Sequence, residues 1–202
     1  MRYLTLAISL FAVSVQAAPL AIDRAAVAVK GTEASFTHSF TPRGFKKAQV
    51  ESGTVTFGAL PMMRWSYSAP EQKLFVFDGT RSWFYVPGEK QVTVADLDEQ
   101  KRQELPFLFL GDAAGREKHF SVKEQRRGKI VVTTLQPKTK AAAIKSVTVT
   151  SNAATNVIES VSYVDREGNS TAFAFSGYHP ARTTADTFRF APPAGVQVVR
   201  AQ

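Results

Sequence analysis

The stretch that decides the fold is residues 63–86, MRWSYSAPEQKLFVFDGTRSWFYV. Apolar residues occupy every second position of Met63–Tyr67, which is the alternation of a half-buried strand. Asp78-Gly79 then separates two further apolar runs, 74–77 and 81–86, and this dipeptide is a strong hairpin signal. Both runs carry apolar residues on both faces, so we expect both faces of the sheet to be covered here.

Strand patterns continue on either side of this stretch and predict about ten or eleven short strands, the last of them at 186–190. An Ala-rich helix is predicted at 20–30 and a polar helix at 96–103. The fold class is therefore mainly β (α+β), with one large antiparallel sheet that is strongly curved or half-closed. The helices must bury their apolar stripes, and the concave face of the sheet is the available place. No repeat or linker interrupts the chain, so residues 18–202 are expected to form a single domain.

The first 17 residues are predicted to be a cleaved signal peptide. A positive start, Met1-Arg2, precedes an apolar run at 3–15, and cleavage is expected after Ala17 or, as a second choice, after Ala18. An uncleaved anchor helix is the alternative, but the run is shorter than the roughly 20 residues a span needs. Because no cysteine stands at the cleavage site, we expect a periplasmic protein without a lipid anchor.

The composition excludes several kinds of catalytic and metal-binding site. The chain has 202 residues, no cysteine, three histidines and a formal net charge of +8. It therefore offers no disulfide framework, thiolate nucleophile or Cys zinc site, and it carries no phosphate loop or Gly-x-Ser-x-Gly elbow. We expect no enzyme activity, cofactor or metal, although a catalytic set assembled in space stays open. A basic surface could bind nucleic acid, but export argues against such a partner. Lys46 and Lys47 are therefore candidate residues for binding another partner, and the alternative is that they lie in an ordinary solvated loop.

Apolar surface is more informative than charge. Aromatic and methionine side chains crowd the three strands of residues 62–85, and both a lined cavity and a plain core fit this composition. Residues 105–111, LPFLFLG, are called the lid segment below. They are too apolar for an exposed insertion and are interrupted by Pro106, which is typical of a loosely held lid.

Several short motifs, each weak by itself, follow one another in a specific order along the chain. They are Ala34-Ser35-Phe36-Thr37, Trp65 and Tyr67 before Pro70, Asp78-Gly79 before Trp83-Phe84-Tyr85-x-Pro87, the lid segment, Leu135-Gln136-Pro137-Lys138, Asp165-x-x-Gly168, and Phe188-x-Phe190-x-Pro192-Pro193-x-Gly195-Val196. In this order the chain resembles the LolA family of periplasmic lipoprotein carriers. The resemblance covers essentially all of residues 18–202. It implies an incomplete antiparallel barrel closed by a helical lid, with an apolar cavity for the acyl chains of lipoproteins.

The resemblance also implies partners: an inner-membrane release complex that supplies acylated lipoproteins and an outer-membrane acceptor that receives them. One position departs from the family pattern. Many members carry Arg-Pro where this chain has Ala59-Leu60, and that arginine is thought to tie the lid to the barrel. We therefore expect a closed lid that is less firmly latched than in typical members.

The leading hypothesis is a monomeric, non-enzymatic carrier of lipid chains. Its predicted lipid-binding residues form a wall and a lid: Phe57, Met63, Trp65, Tyr67, Leu74, Phe75, Trp83 and Tyr85 in the wall, and Leu105, Phe107, Leu108 and Leu110 in the lid. Which face of 74–77 and 81–86 turns inward stays open. The alternatives are a periplasmic lipid-sensing or adaptor module of the same fold that binds a protein, and a hydrolase with a site assembled in space.

Overall fold

One curved sheet dominates the molecule. The computed structural model describes residues 18–98, 101–102, 105–140 and 142–201, and within these residues twelve strands form a single sheet. The strands are β1 (Thr32–Thr41), β2 (Gln49–Phe57), β3 (Met63–Ala69), β4 (Lys73–Phe77), β5 (Arg81–Val86), β6 (Gln91–Asp96), β7 (Phe120–Arg127), β8 (Ile130–Pro137), β9 (Ile144–Asn152), β10 (Ile158–Asp165), β11 (Ser170–Pro180) and β12 (Gln197–Arg200).

The spatial order of the strands is β12-β6-β5-β4-β3-β2-β1-β11-β10-β9-β8-β7. Neighbours pair antiparallel, except that β12 runs parallel to β6, with Gln197 beside Gln91. Strands β7 and β12 are the two edges, so the sheet is open and not a closed barrel. The predicted fold class, an open and strongly curved antiparallel sheet, is confirmed.

The strand predicted at 186–190 is wrong. Ala185–Phe188 is a 3₁₀ helix, and the last strand, β12, lies further along the chain. The reason is local: the side chain of Thr184 accepts from the backbone of Thr187, and the Thr187 hydroxyl accepts from the N–H of Thr184. This reciprocal capping favours a helical turn over an extended strand.

Helix α1 (Ala21–Ala28) lies against β8 and β9 and buries Ile22, Ala25 and the adjoining Val29 in the main apolar core. The carboxylate of Glu124, on β7, accepts from the N–H groups of Ala21 and Ile22 at 3.0 and 3.3 Å. These donors are unpaired at a helix start, and a carboxylate there also suits the helix dipole. The predicted helix at 20–30 is therefore confirmed, whereas the predicted signal peptide, residues 1–17, lies outside the described residues.

A second group of short helices follows β6. The lid segment contains a 3₁₀ helix, Pro106–Phe109, and helix α2 (Ala113–His119) follows it. Asp112 caps α2 by accepting from the N–H of Gly115 at 2.9 Å. Of the predicted helix at 96–103, residues 99, 100 and 103 lie outside the described part. Within the rest, the carboxylate of Asp98 accepts from the N–H of Lys101 at 2.8 Å, as expected of an N-cap.

The C-terminal segment covers the outer face of β4 and β5. Phe190 lies 5.9 Å from Trp83 and 5.4 Å from Tyr85, measured between ring centroids. Phe188 is buried against Gly58, where an added Cβ would lie 2.9 Å from its ring. The expectation that both faces of these strands are covered is confirmed. Within the described part of the chain, no helix combines the length and apolarity needed to cross a bilayer.

Candidate functional site

Trp65 is the centre of an aromatic cluster on the inner face of the sheet. Its side chain is only 3% exposed. The Trp65 ring lies 5.1 Å from Phe36, 5.2 Å from Phe173 and 4.9 Å from Phe107, each in an edge-to-face arrangement. Edge-to-face contacts of this length are favourable beyond the area that they bury. Four separate parts of the chain, β1, β3, β11 and the lid segment, therefore meet at one indole.

Strand register explains this meeting. Trp65 on β3 pairs with Val55 on β2 and with Phe75 on β4, so the three side chains stand on the same face. Two residues away, Met63 pairs with Phe57, and both are fully buried in the same core. Of the predicted wall, the structure brings together on this face Phe57, Met63, Trp65, Tyr67 and Phe75.

An apolar cavity of about 190 Å³ lies beside this cluster. Its lining is mostly aromatic and aliphatic: His38, Trp65, Tyr67, Phe75, Phe77, Leu105, Pro106, Phe107, Tyr163 and Phe173. Ligand pockets are typically about 300–1,000 Å³, so the cavity is small for a ligand site in this arrangement. The reason is visible in the lining, because Leu105 and Phe107 of the lid segment occupy space next to the wall.

The lid segment packs tightly on the inner face. Leu108 and Leu110 are fully buried in the core, and the Phe107 ring reaches Phe173 at 4.8 Å. Gly111 passes so close to the β2–β3 loop that an added Cβ would lie 2.5 Å from the Cβ of Leu60 and 2.8 Å from its carbonyl oxygen. The four predicted lid residues therefore lie on the core, with Leu105 and Phe107 at the cavity.

Arg116, on α2, ties the lid segment to α1. Its guanidinium is 2% exposed and donates to the carbonyl oxygens of Phe109 and Leu110 at 2.6 and 2.9 Å. The same group forms an ion pair with Asp23, on α1. Arg116 was not anticipated from the sequence, because an arginine six residues past an apolar run carries no signal of its own. Arg116 therefore connects the lid segment to α1. The arginine that the family resemblance leads us to expect at position 59 is an alanine in this chain.

The prediction that Trp83, Tyr85 and Leu74 line the cavity is wrong. Leu74 pairs with Tyr85, so both side chains stand on the same face, opposite to that of Phe75. The indole N–H of Trp83 donates to Asp78 at 3.3 Å, on the outer side with Phe190. The inner position of β5 belongs instead to Phe84, which stacks on Phe75 at 4.3 Å.

A polar corner, formed by His38, Glu51 and Lys73, borders the cavity. The imidazole of His38 stacks on Phe173 at 4.3 Å, and its Nδ1 lies 3.2 Å from the carboxylate of Glu51. Lys73 donates to the other oxygen of Glu51 at 2.5 Å. Burial lowers the pKa of His38, against the opposing effect of Glu51. Burial alone would raise the pKa of Glu51, but the hydrogen bonds and positive charges of Lys73 and His38 together outweigh burial, and the pKa is lowered.

Burial also raises the pKa of Tyr67 and of Tyr163 at the same end of the cavity. Both hydroxyls therefore stay protonated across the physiological range. With a neutral His38, the cavity lining carries no full charge at neutral pH. Such a lining can hold an apolar chain without leaving a charge unpaired.

Other surface features lie away from this cluster. A larger pocket of about 730 Å³ is lined by a mixture of side chains that includes Lys30, Asp78 and Arg189, and so lacks a continuous apolar wall. Lys46 and Lys47 are exposed in the turn between β1 and β2. Among the residues the structure describes, no cluster of three or more His, Asp or Glu side chains could hold a metal ion.

The structure combines an open, curved sheet, a short helical cover and an aromatic cavity, and this arrangement is of the class that can enclose an apolar ligand. The family model described as "Outer membrane lipoprotein carrier protein LolA" matches residues 28–191. The chain therefore belongs to the LolA family.

Two relatives agree with this assignment, and a solved structure shares the fold. An outer-membrane lipoprotein carrier protein of Xanthomonas axonopodis pv. citri is 31% identical over 204 residues, covering 98% of this chain and 96% of that protein. One from Pseudomonas putida is 26% identical, covering 83% and 79%. An uncharacterized conserved protein from Thermus thermophilus has a similar fold, with a TM-score of 0.55 at 12% identity, covering 90% of this chain and 97% of that one.

Proposed function

We propose that this protein is a periplasmic carrier that shelters the acyl chains of lipoproteins, or of a lipid of similar form, in the cavity under the lid segment. The observation that carries the proposal is the aromatic wall around Trp65, with Phe107 of the lid segment packed against it at 4.9 Å. The family assignment supports it, since relatives at 26–31% identity are named outer-membrane lipoprotein carrier proteins.

Binding of this kind needs no covalent chemistry. Each methylene moved from water into an apolar site contributes about 0.8 kcal/mol. A long acyl chain therefore supplies ample affinity, and release requires a competing site on a partner. We extend the proposal to that transfer: the carrier acts as a monomer, receives its cargo from an inner-membrane release complex and hands it to an outer-membrane acceptor.

Loading must displace the lid segment. The cavity of about 190 Å³ is smaller than a typical ligand site, and Phe107 occupies the space beside the wall. The lid segment's own side chains thus act as a stand-in ligand, and an acyl chain competes with them. A ligand can shift the lid segment only through its preference for the open form.

The test is binding of an N-palmitoylated peptide to a matched pair of variants, Trp65→Gln and Trp83→Gln. Both remove an indole from the same sheet, but Trp65 faces the cavity and Trp83 faces outward. An amide left unpaired in an apolar site costs roughly 1–3 kcal/mol, so Trp65→Gln should weaken binding roughly 5- to 150-fold. Trp83→Gln should leave the affinity close to that of the wild type.

Both variants must first give the wild-type circular dichroism spectrum. Equal affinity in a folded Trp65→Gln variant would exclude the cavity as the acyl site. No binding by the wild-type protein, together with no lipid in the purified protein by mass spectrometry, would overturn the carrier proposal.

A further inference from the structure

Phe45 is an exposed aromatic residue in the described part of the chain. Its side chain is 70% accessible at the tip of the turn between β1 and β2. In the described residues it is the only aromatic side chain that is exposed, whereas the rings of Phe36, Phe57 and Phe173 are buried. Single exposed apolar side chains are common on protein surfaces, so the informative observation is the position of this ring on an ordered turn among cations, and not its exposure alone.

The turn presents Phe45 in a fixed conformation. The N–H of Phe45 donates to the carbonyl of Pro42 at 3.0 Å, and Gly44 has φ +85°, as required at the third position of a type II turn. Arg43 anchors the turn to its neighbour, because its N–H donates to the side chain of Asn169 at 3.0 Å. The aliphatic part of Arg43 also lies over Gly168. A rigid turn that projects an aromatic ring is organised for contact before any partner arrives.

Positive charge surrounds the ring. Lys46 and Lys47 follow Phe45 directly, and Arg43 precedes it by two residues. A basic groove of about 470 Å³ lies between the adjoining loops, and its charged lining residues are Lys138, Lys140, Lys145 and Arg166. Arg166 belongs to the same β10–β11 turn that anchors Arg43. The acidic residues Glu71, Asp165 and Glu167 lie in or beside turns at the same end of the sheet. They are fewer than the seven cations of the β1–β2 turn and the groove, so cations outnumber anions on this edge.

The cavity lies at this end of the sheet. His38 is three residues from the end of β1 and Phe173 three residues from the start of β11. At about 3.3 Å per residue, the cavity lining is about 10 Å from the strand ends. Tyr67 and Tyr163, which also line the cavity, lie two residues from the ends of β3 and β10. The basic turn and the cavity therefore belong to one end of the molecule.

We propose that residues 42–48 dock on the surface of an anionic phospholipid bilayer, with Phe45 entering the interfacial layer and Lys46 and Lys47 against the headgroups. A bilayer surface offers a partner both for the phenyl ring and for the lysines of this turn. Phenyl side chains are among the apolar groups with which proteins enter the interfacial layer, and basic side chains are attracted to anionic headgroups. An acidic protein would match the lysines but would not by itself require a projecting phenyl ring. Docking here brings the cavity end to the membrane, and it does not depend on which cargo the cavity holds.

The experiment is co-sedimentation with vesicles of phosphatidylcholine alone and of phosphatidylcholine mixed with phosphatidylglycerol. The full chain is expressed, and the processed protein is purified, with its N-terminus read from its mass. Phe45→Ser and the double variant Lys46→Gln/Lys47→Gln are compared with matched controls. Val27→Ser removes an equally exposed apolar side chain from α1, and Arg126→Gln/Arg127→Gln removes the same charge near the β7–β8 turn, at the opposite end of the sheet.

Wild-type protein should bind the mixed vesicles more tightly than phosphatidylcholine alone. The double lysine variant should lose roughly 30-fold in affinity, about fivefold per cation, and Phe45→Ser roughly five- to tenfold, since insertion buries part of the ring. Both controls should bind like the wild type. Every variant should still bind the N-palmitoylated peptide in vesicle-free buffer, which separates this proposal from the carrier proposal.

A second measurement reports insertion directly. Because the chain has no cysteine, Phe45→Cys and Val27→Cys each accept one environment-sensitive dye. The dye at position 45 should shift to the blue on mixed vesicles, and the dye at position 27 should not. Equal binding of Phe45→Ser and wild type, an unshifted dye at position 45, or an equal loss in the Arg126→Gln/Arg127→Gln control would overturn the proposal. Salt-sensitive binding to an acidic protein without vesicle binding would also overturn it.

Discussion

The ion pair between Arg116 and Asp23 is predicted to hold the lid segment closed, and Asp23→Asn tests this. The substitution keeps the size of the side chain but removes the counter-charge of a guanidinium that is 2% exposed. Arg116 would keep its bonds to the carbonyl oxygens of Phe109 and Leu110. It would nevertheless remain a buried cation without an ion-pair partner, and opening of the lid segment would let water reach it.

The expected magnitude follows from burial. Breaking a buried ion pair by removing one partner costs about 3–5 kcal/mol. Asp23 is 33% exposed, so water already screens the pair in part and the lower end, about 3 kcal/mol, applies. Since about 1.4 kcal/mol corresponds to a factor of ten, the opening equilibrium of the lid segment should rise roughly 100-fold. The apparent affinity for an acylated peptide should rise with it, because closure competes with binding.

Hydrogen exchange measured by mass spectrometry checks this prediction. Amides of residues 105–119 should exchange roughly 100-fold faster in Asp23→Asn, while those of β1 and β11 stay protected. Asp96→Asn is the matched control, because it makes the same change in an ion pair with Arg81 whose two side chains are 48% and 67% exposed. An exposed pair is worth roughly 0–1 kcal/mol, so exchange should barely change. The reasoning is refuted if the two variants expose residues 105–119 to the same extent.

Other substitutions around the cavity have separate expected outcomes. Gly111→Ala should lower the melting temperature and reduce the free energy of unfolding by roughly 1–3 kcal/mol, since the new methyl group would overlap with Leu60. Gly88→Ala, where an added methyl group has open space, should be neutral, and equal melting temperatures of the two variants would contradict this. Phe107→Ala should raise the affinity for an acylated peptide in a fluorescence titration, because it removes the ring that fills the cavity; a weaker complex would show that Phe107 is part of the bound site. The lowered pKa of His38 means that the folded protein binds fewer protons than the unfolded chain below pH 6.5. The contribution of His38 to the free energy of unfolding should therefore be fully present above pH 6.5 and should be lost as the pH falls through the lowered pKa. In denaturant titrations at several pH values, the free energy of unfolding of His38→Gln should depend less on pH than that of the wild type.

The sequence by itself determined the sheet and its hairpins. Alternation in β3 and the Asp78-Gly79 turn are local signals, and side chains two residues apart must share a face whatever the rest of the chain does. The same rule placed Met63, Trp65 and Tyr67 together. The apolar lid segment was also visible, since a run of this kind cannot stay in water.

Only the tertiary structure decided which face of β4 and β5 is the inner one. Period-two alternation separates two faces, but when both are apolar it does not say which one meets the core, and the choice depended on the C-terminal segment that covers Trp83. Likewise, Arg116 and Asp23 are 93 residues apart in the chain. Neither residue has a local pattern that refers to the other, so their pairing exists only once the sheet has brought α1 and α2 together.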